Sequence, residues 1–151
     1  MNLERVFDLF GFFDNDKETN KRLEQEVDDY KSTPHFKVKM FIKLISNGII
    51  FKRQVIDFFS QADPSLDKID INEAGDFVMY TRAWFWISQC DLTDEKWQEC
   101  LRFIPHAKLN ECIEPCMEHY LALEEYEKCA LLKQIQDFIK NTWYPYFGFV
   151  Y

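Results

Sequence analysis

Residues 76–88 read DFVMYTRAWFWIS. Phe77, Val78, Met79, Tyr80, Ala83, Trp84, Phe85, Trp86 and Ile87 surround a single arginine, Arg82. As a strand the stretch alternates poorly, because both faces would be apolar. As a helix it is apolar nearly all round, with Asp76 and Arg82 as the polar exceptions. A helix of that kind is central and covered on every side. Periodicity alone does not exclude a fully buried strand. The composition favours the helix: 4 Gly and 5 Pro are too few for the many turns of a sandwich or barrel. A second reading makes Arg82 and Trp84 anchors of an interface, since Arg and Trp dominate binding hot spots.

The segments on either side repeat at helical spacing. Leu3, Val6, Phe7 and Phe10 share one face of a first pattern,. From Asp16 to Lys31 the only apolar residues are Leu23, Val27 and Tyr30, a narrow stripe that leaves most of the helix in water. Thr33-Pro34 has the form of a cap followed by proline at the first helical position. Asn47-Gly48 supplies a left-handed stop. Before it, Phe36, Met40, Phe41 and Leu44 share a face; after it, Phe51, Val55, Phe58, Phe59 and Ala62 share another, up to Asp63-Pro64. A short turn is expected at 63–69. Asn72 would cap the helix through the opening stretch, with Glu73 and Asp76 in its first turn, where acid suits the dipole. Thr93 would cap the next helix, which presents Trp97, Cys100, Leu101 and Ile104 and stops at Pro105. A long pattern from Leu109 to Trp143 is kinked or divided at Pro115, with Tyr120, Leu121, Cys129, Leu132, Ile135, Phe138 and Ile139 on its apolar side. The tail WYPYFGFVY is expected to dock, since free rings would form an exposed patch. The fold class is therefore all-α: one compact domain over 1–151 with about six to eight helices. Its core is expected to be aromatic, from 15 Phe, 7 Tyr and 4 Trp.

The chain carries 18 basic and 26 acidic residues, net −8. That field repels nucleic acid and anionic membranes and attracts basic partners. No run approaches the length of a membrane span. Glu4 and Asp8 stand where a signal peptide is basic and then apolar, so the expected location is the cytoplasm. Five cysteines, at 90, 100, 112, 116 and 129, are an odd count that reads as reduced thiols.

Chemistry is sparsely marked. Glycines at 11, 48, 75 and 148 are too far apart to cradle a phosphate. Cys112, Cys116 and His119 share a helical face, but zinc ligands normally come from two separate loops or hairpin ends. Buried thiols are the better reading. No Cys–His pair is singled out as a nucleophile and base. No catalytic, cofactor or metal site is assigned, and no enzyme is expected.

The charges are segregated. From Lys31 to Asp57 there are six basic side chains against Asp57 alone. From Glu111 to Glu127 there are six glutamates and no base. Glu111, Glu118 and Glu125 recur every seven residues, with Glu114 beside them on a continuous helix. The plain reading is a solvated face; the functional one is an acidic patch for a cationic partner. Size, acidity, the aromatic complement and the Glu111–Glu127 face together resemble the immunity proteins of bacterial contact-dependent and other polymorphic toxins. That resemblance implies tight inhibition of one cognate toxin, often a basic nuclease. The expected binding residues are Glu111, Glu114, Glu118, Glu125, Arg82 and Trp84. The alternative is a helical adaptor or assembly module that binds a peptide, or itself, in a groove between helices.

Overall fold

The computed structural model describes residues 17–65 and 67–147. It is all-helical over these residues, with six α-helices and no strand among them. They are α1 (Lys17–Lys31), α2 (Pro34–Ala62), α3 (Lys68–Ile87), α4 (Glu95–Phe103), α5 (His106–Ala122) and α6 (Tyr126–Phe147). The helix expected around Leu3–Phe10 lies outside the described residues, as do the side chains of the aromatic tail.

The chain divides into two units, Met1–Thr33 and Pro34–Tyr151. The first contains α1, which buries nothing. Leu23, Val27 and Tyr30 form its apolar stripe and are all exposed. Ser32 and Thr33 hydroxyls donate to the carbonyls of Asp29 and Tyr30, occupying acceptors that the helix end leaves open.

The second unit is built on a long antiparallel pair, α2 against α3. α2 is 29 residues long, about 43 Å at 1.5 Å per residue. It runs straight through Asn47-Gly48, so these residues are no helix stop. Gly48 is needed for a close approach: a Cβ there would lie 2.6 Å from Met79 Cγ on α3. The absence of a side chain lets the two helices meet. The helix ends at Ala62, where Asp63-Pro64 was expected to end it.

α3 starts earlier than Asn72. Asp67 is the cap, its carboxylate accepting from the Ile69 N–H at 2.8 Å. A carboxylate at the cap both fills an orphan donor and faces the positive end of the helix dipole. The same choice recurs at α4, where Asp94 rather than Thr93 is the cap, accepting from Lys96 N–H at 2.9 Å. Thr93 is held instead by Asp91, whose carboxylate accepts from its N–H and its hydroxyl. Those bonds hold the Asp91 carboxyl below its usual range.

α5 is continuous through Pro115. The proline withholds one N–H from the ladder but does not divide the helix. The break falls later, at Leu123–Glu125, where Glu124 has φ 60°. The N–H groups of Glu124 and Glu125 donate to the carbonyls of Leu121 and Tyr120 at 3.1 and 2.9 Å. This is the bond pattern of a left-handed helix stop, with glutamate where glycine is usual.

The core lies at one end of the α2–α3 pair. Val38, Phe41 and Ile45 of α2 and Met79, Tyr80, Ala83 and Ile87 of α3 are buried there. α4 supplies Trp97, Cys100 and Leu101; Ile104 follows them; and α5 supplies Leu109, Cys112, Ile113, Cys116 and Tyr120. Leu132, Ile135 and Ile139 of α6 complete it. Phe41, Tyr80, Trp97 and Tyr120 are the aromatic members. Among the described residues the core is therefore mainly aliphatic and thiol-bearing rather than aromatic. Many of the other rings stand at the surface, Leu121 likewise at 57% exposure.

Polar bonds tie this end together. Tyr120 donates to the carbonyl of Tyr80 at 3.0 Å. Lys128, in the first turn of α6, lies over the rings of Tyr120 and Trp84 at 4.4 and 5.5 Å and pairs with Glu125. Buried Gln136 of α6 donates to Asn110 of α5, and Asn110 in turn donates to Glu114, each at 2.7 Å.

Candidate functional site

The other end of the α2–α3 pair is different. From Ser46 to Val78 no described residue is buried. Apolar residues nonetheless recur there at helical spacing,. Ile50, Phe51, Phe58, Ile69, Phe77 and Val78 are each more than half exposed, and Ile49 and Phe59 are close behind. The pair thus projects as a two-helix arm beyond the body formed with α4, α5 and α6.

The stretch 76–88 lies where the arm joins the body, and it is covered on one side only. Met79, Tyr80, Ala83 and Ile87 face in. Phe77, Val78 and Phe85 face out, at 61%, 54% and 61% exposure. The helix was expected to be covered all round; the arm leaves it no neighbour on its outer side.

Along one side of the arm runs a groove of about 720 Å³. Met40, Leu44, Phe51 and Val55 form its α2 wall, and Ile71, Ala74, Val78 and Met79 its α3 wall. These residues fall at helical intervals, so each wall is one face of its helix. Small residues set its depth. Gly48 meets Met79, and a Cβ on Gly75 would lie 3.1 Å from Lys52 Cγ. Lys52 crosses the helix pair to bond Asp76. Exposed Lys43 and Arg82 stand at the body end, and no acidic residue lines the groove.

Arg82 stands exposed on the groove lining at its body end. Trp84 is half-buried: it meets Tyr120 edge-on at 5.6 Å and lies under Lys128. Phe85 is the outward aromatic on that turn.

The four glutamates are only partly brought together. Glu111, Glu114 and Glu118 are exposed on α5. Glu125 falls beyond the end of that helix, half-buried and paired with Lys128. Glu114 is held by Asn110, and Glu111 lies 3.8 Å from Lys108. The seven-residue repeat implied one face, but the left-handed turn at Glu124 divides it. Exposed Leu121, Leu123 and Tyr126 stand around that turn, among Glu118, Glu124 and Glu127.

The thiols sit in packing. Burial pushes Cys90 and Cys116 up to about 12 and Cys100 to about 11, and it raises Cys112 as well. Those four are poor thiolates and hence poor nucleophiles. Cys112 contacts Ser46 Oγ at 3.6 Å, and Cys129 reaches the Met117 carbonyl at 3.6 Å. His119 stacks on Tyr80 at 4.3 Å between ring centroids, and burial lowers its pKa. Among the described residues no group of three or more His, Cys, Asp or Glu could hold a metal ion. No described helix is long and apolar enough to cross a membrane.

The sequence missed the arm because its apolar stripes at 51–62 and 71–78 have core periodicity. The available signal was their number: two long apolar stripes with too few later helices to cover them. Comparison with family models, curated proteins and solved structures finds no match for the chain.

Proposed function

We propose that this protein acts by binding another protein, without catalysing a reaction, and that the α2–α3 arm is its binding surface. The observation that carries this reading is the unburied apolar run from Ser46 to Val78. Exposed apolar patches beyond a few hundred Å² are unusual on a monomer and mark interaction sites. Each exposed phenylalanine offers part of the ~150–250 Å² that an aromatic ring buries. Phe51, Phe58 and Phe77, with Ile50, Ile69 and Val78, supply exposed apolar surface along the arm, and Phe51 and Val78 line its groove. This makes the groove-binding adaptor the better supported of the two binding readings. The test is co-purification from the source cell of the native chain and of chains carrying Phe51→Ser with Val78→Ser, or Phe103→Ser alone. Loss of a stoichiometric partner with the arm variant only is the expected result. Loss with Phe103→Ser alone would place the surface elsewhere.

A second reading keeps the toxin-inhibitor expectation, with a cytoplasmic immunity protein meeting a cationic toxin. It is favoured by the apolar corner of Leu121, Leu123 and Tyr126 among Glu118, Glu124 and Glu127. Acid around an apolar anchor would steer a basic partner and then hold it. Charge reversal at Glu111 and Glu118 should then slow association with a toxin encoded beside this gene. Unchanged protection of the cell would end this reading.

A further inference from the structure

We infer that the α2–α3 groove takes an amphipathic α-helix of another protein, with acidic residues flanking its apolar stripe; this rests on the arm being the binding surface. Three observations carry it. Both walls of the groove are helices, whose backbone donors and acceptors are already used. A peptide lying there finds no sheet edge to pair with, so it must satisfy its own backbone, and a helix does that. The groove extends from Met40 to Val55 along α2, about 22 Å at 1.5 Å per residue, which accommodates roughly four turns. Such a ligand would present apolar residues at i, i+4, i+7 and i+11 to the floor.

The charge defines the partner further. Lys52 is committed to Asp76, while Lys43 and Arg82 are exposed at the body end. They form a basic rim on a chain of net charge −8. Groove-to-groove pairing of two copies is disfavoured, because each would bring the same lysines and arginine and no acid. A helix with glutamate or aspartate beside its stripe complements the rim, and steering by opposite charge raises its on-rate.

The test uses the full chain, isotope-labelled for amide NMR, and two stapled helical peptides of about four turns. Both carry leucine at the four stripe positions; one has glutamate flanks and its twin has lysine flanks. The glutamate peptide should shift the amides of Gly48, Gly75, Val78 and Arg82 and bind about tenfold tighter than its twin. Lys43→Glu with Arg82→Glu, both at exposed positions, should invert the preference. Equal binding of the two peptides in the groove overturns the acidic partner and leaves the arm reading standing. Concentration-dependent self-association that Phe51→Ser abolishes, without peptide binding, overturns the helical partner in favour of a second copy. Shifts confined to α5 with the lysine peptide overturn this inference and the arm reading together.

Discussion

Gly48 of α2 and Met79 of α3 meet across the helix pair, and the glycine leaves room for the methionine side chain. Met79 is 7% exposed and closes the core at the foot of the arm. The contact joins the packed end of the molecule to the unpacked one. Gly48→Leu forces Met79 and the helices apart and should cost about 1–3 kcal/mol, as overpacking does. In a Met79→Ala background the same substitution should cost less, by about 1 kcal/mol, because residues in contact couple. Urea unfolding of the four chains measures both quantities. Purely additive costs would mean that the two residues do not share this space.

The turn between α5 and α6 has a residue out of place. Glu124 adopts φ 60°, a conformation that costs a residue with a Cβ about 1–2 kcal/mol. Glu124→Gly should therefore stabilise the fold by about 0.5–1 kcal/mol despite the added chain entropy of glycine. That gain raises Tm by about 1–4 °C for a chain of this size. A scanning calorimetry trace with an unchanged or lower Tm would contradict the turn geometry. This turn also shows where the sequence misleads. Pro115 looked like the break, and Glu124-Glu125 looked like exposed helix. The proline is carried in the helix, and the break rests on tertiary bonds: Lys128 packed over Tyr120 and Trp84, and Leu132, Ile135 and Ile139 pulled into the core.

Alkaline pH should unfold the protein early. Cys90 and Cys116 are held up to about 12, Cys100 to about 11 and Tyr80 to about 12, burial being the first cause of each. In the unfolded chain the thiols lose their protons near the reference value of 9.0. Between that pH and the folded values the native state holds more protons, so stability falls as pH rises. It is fully present below about pH 7.5, a unit or more under the unfolded thiol's value, where both states are protonated. Melting curves from pH 7 to 10.5 should show Tm dropping above pH 9, and Cys90→Ala with Cys116→Ala should flatten the drop. A flat native curve would show that these thiols are not buried.

The arm and the body should differ sharply in what the loss of a phenylalanine costs. Phe51 and Phe77 are 67% and 61% exposed, so Phe51→Ser and Phe77→Ser should change stability by no more than about 0.5 kcal/mol. Phe41 is fully buried, and Phe41→Ala should cost about 3–5 kcal/mol. Denaturant titration separates these cases. A large loss from the arm substitutions would mean that the rings are packed.

Which helices exist was largely readable from spacing, and the Trp97, Cys100, Leu101, Ile104 stripe lies buried as read. Which faces are buried was less readable. Periodicity at Phe51, Val55 and Phe58 says that a face is apolar; it does not say that something covers it. The outward side of 76–88 was hidden for the same reason. The acidic residues were legible as a set, but their division by the Glu124 turn follows from three-dimensional packing.

The most direct test of the arm as the working surface is photo-cross-linking in the living source cell. Benzoylphenylalanine is placed singly at Phe51, Phe77, Phe103 or Tyr126, all exposed rings. If the arm is the binding surface, positions 51 and 77 give one discrete cross-linked species and positions 103 and 126 give none. A species that forms from 126 while 51 and 77 give none would contradict it and move the binding surface to the acidic corner.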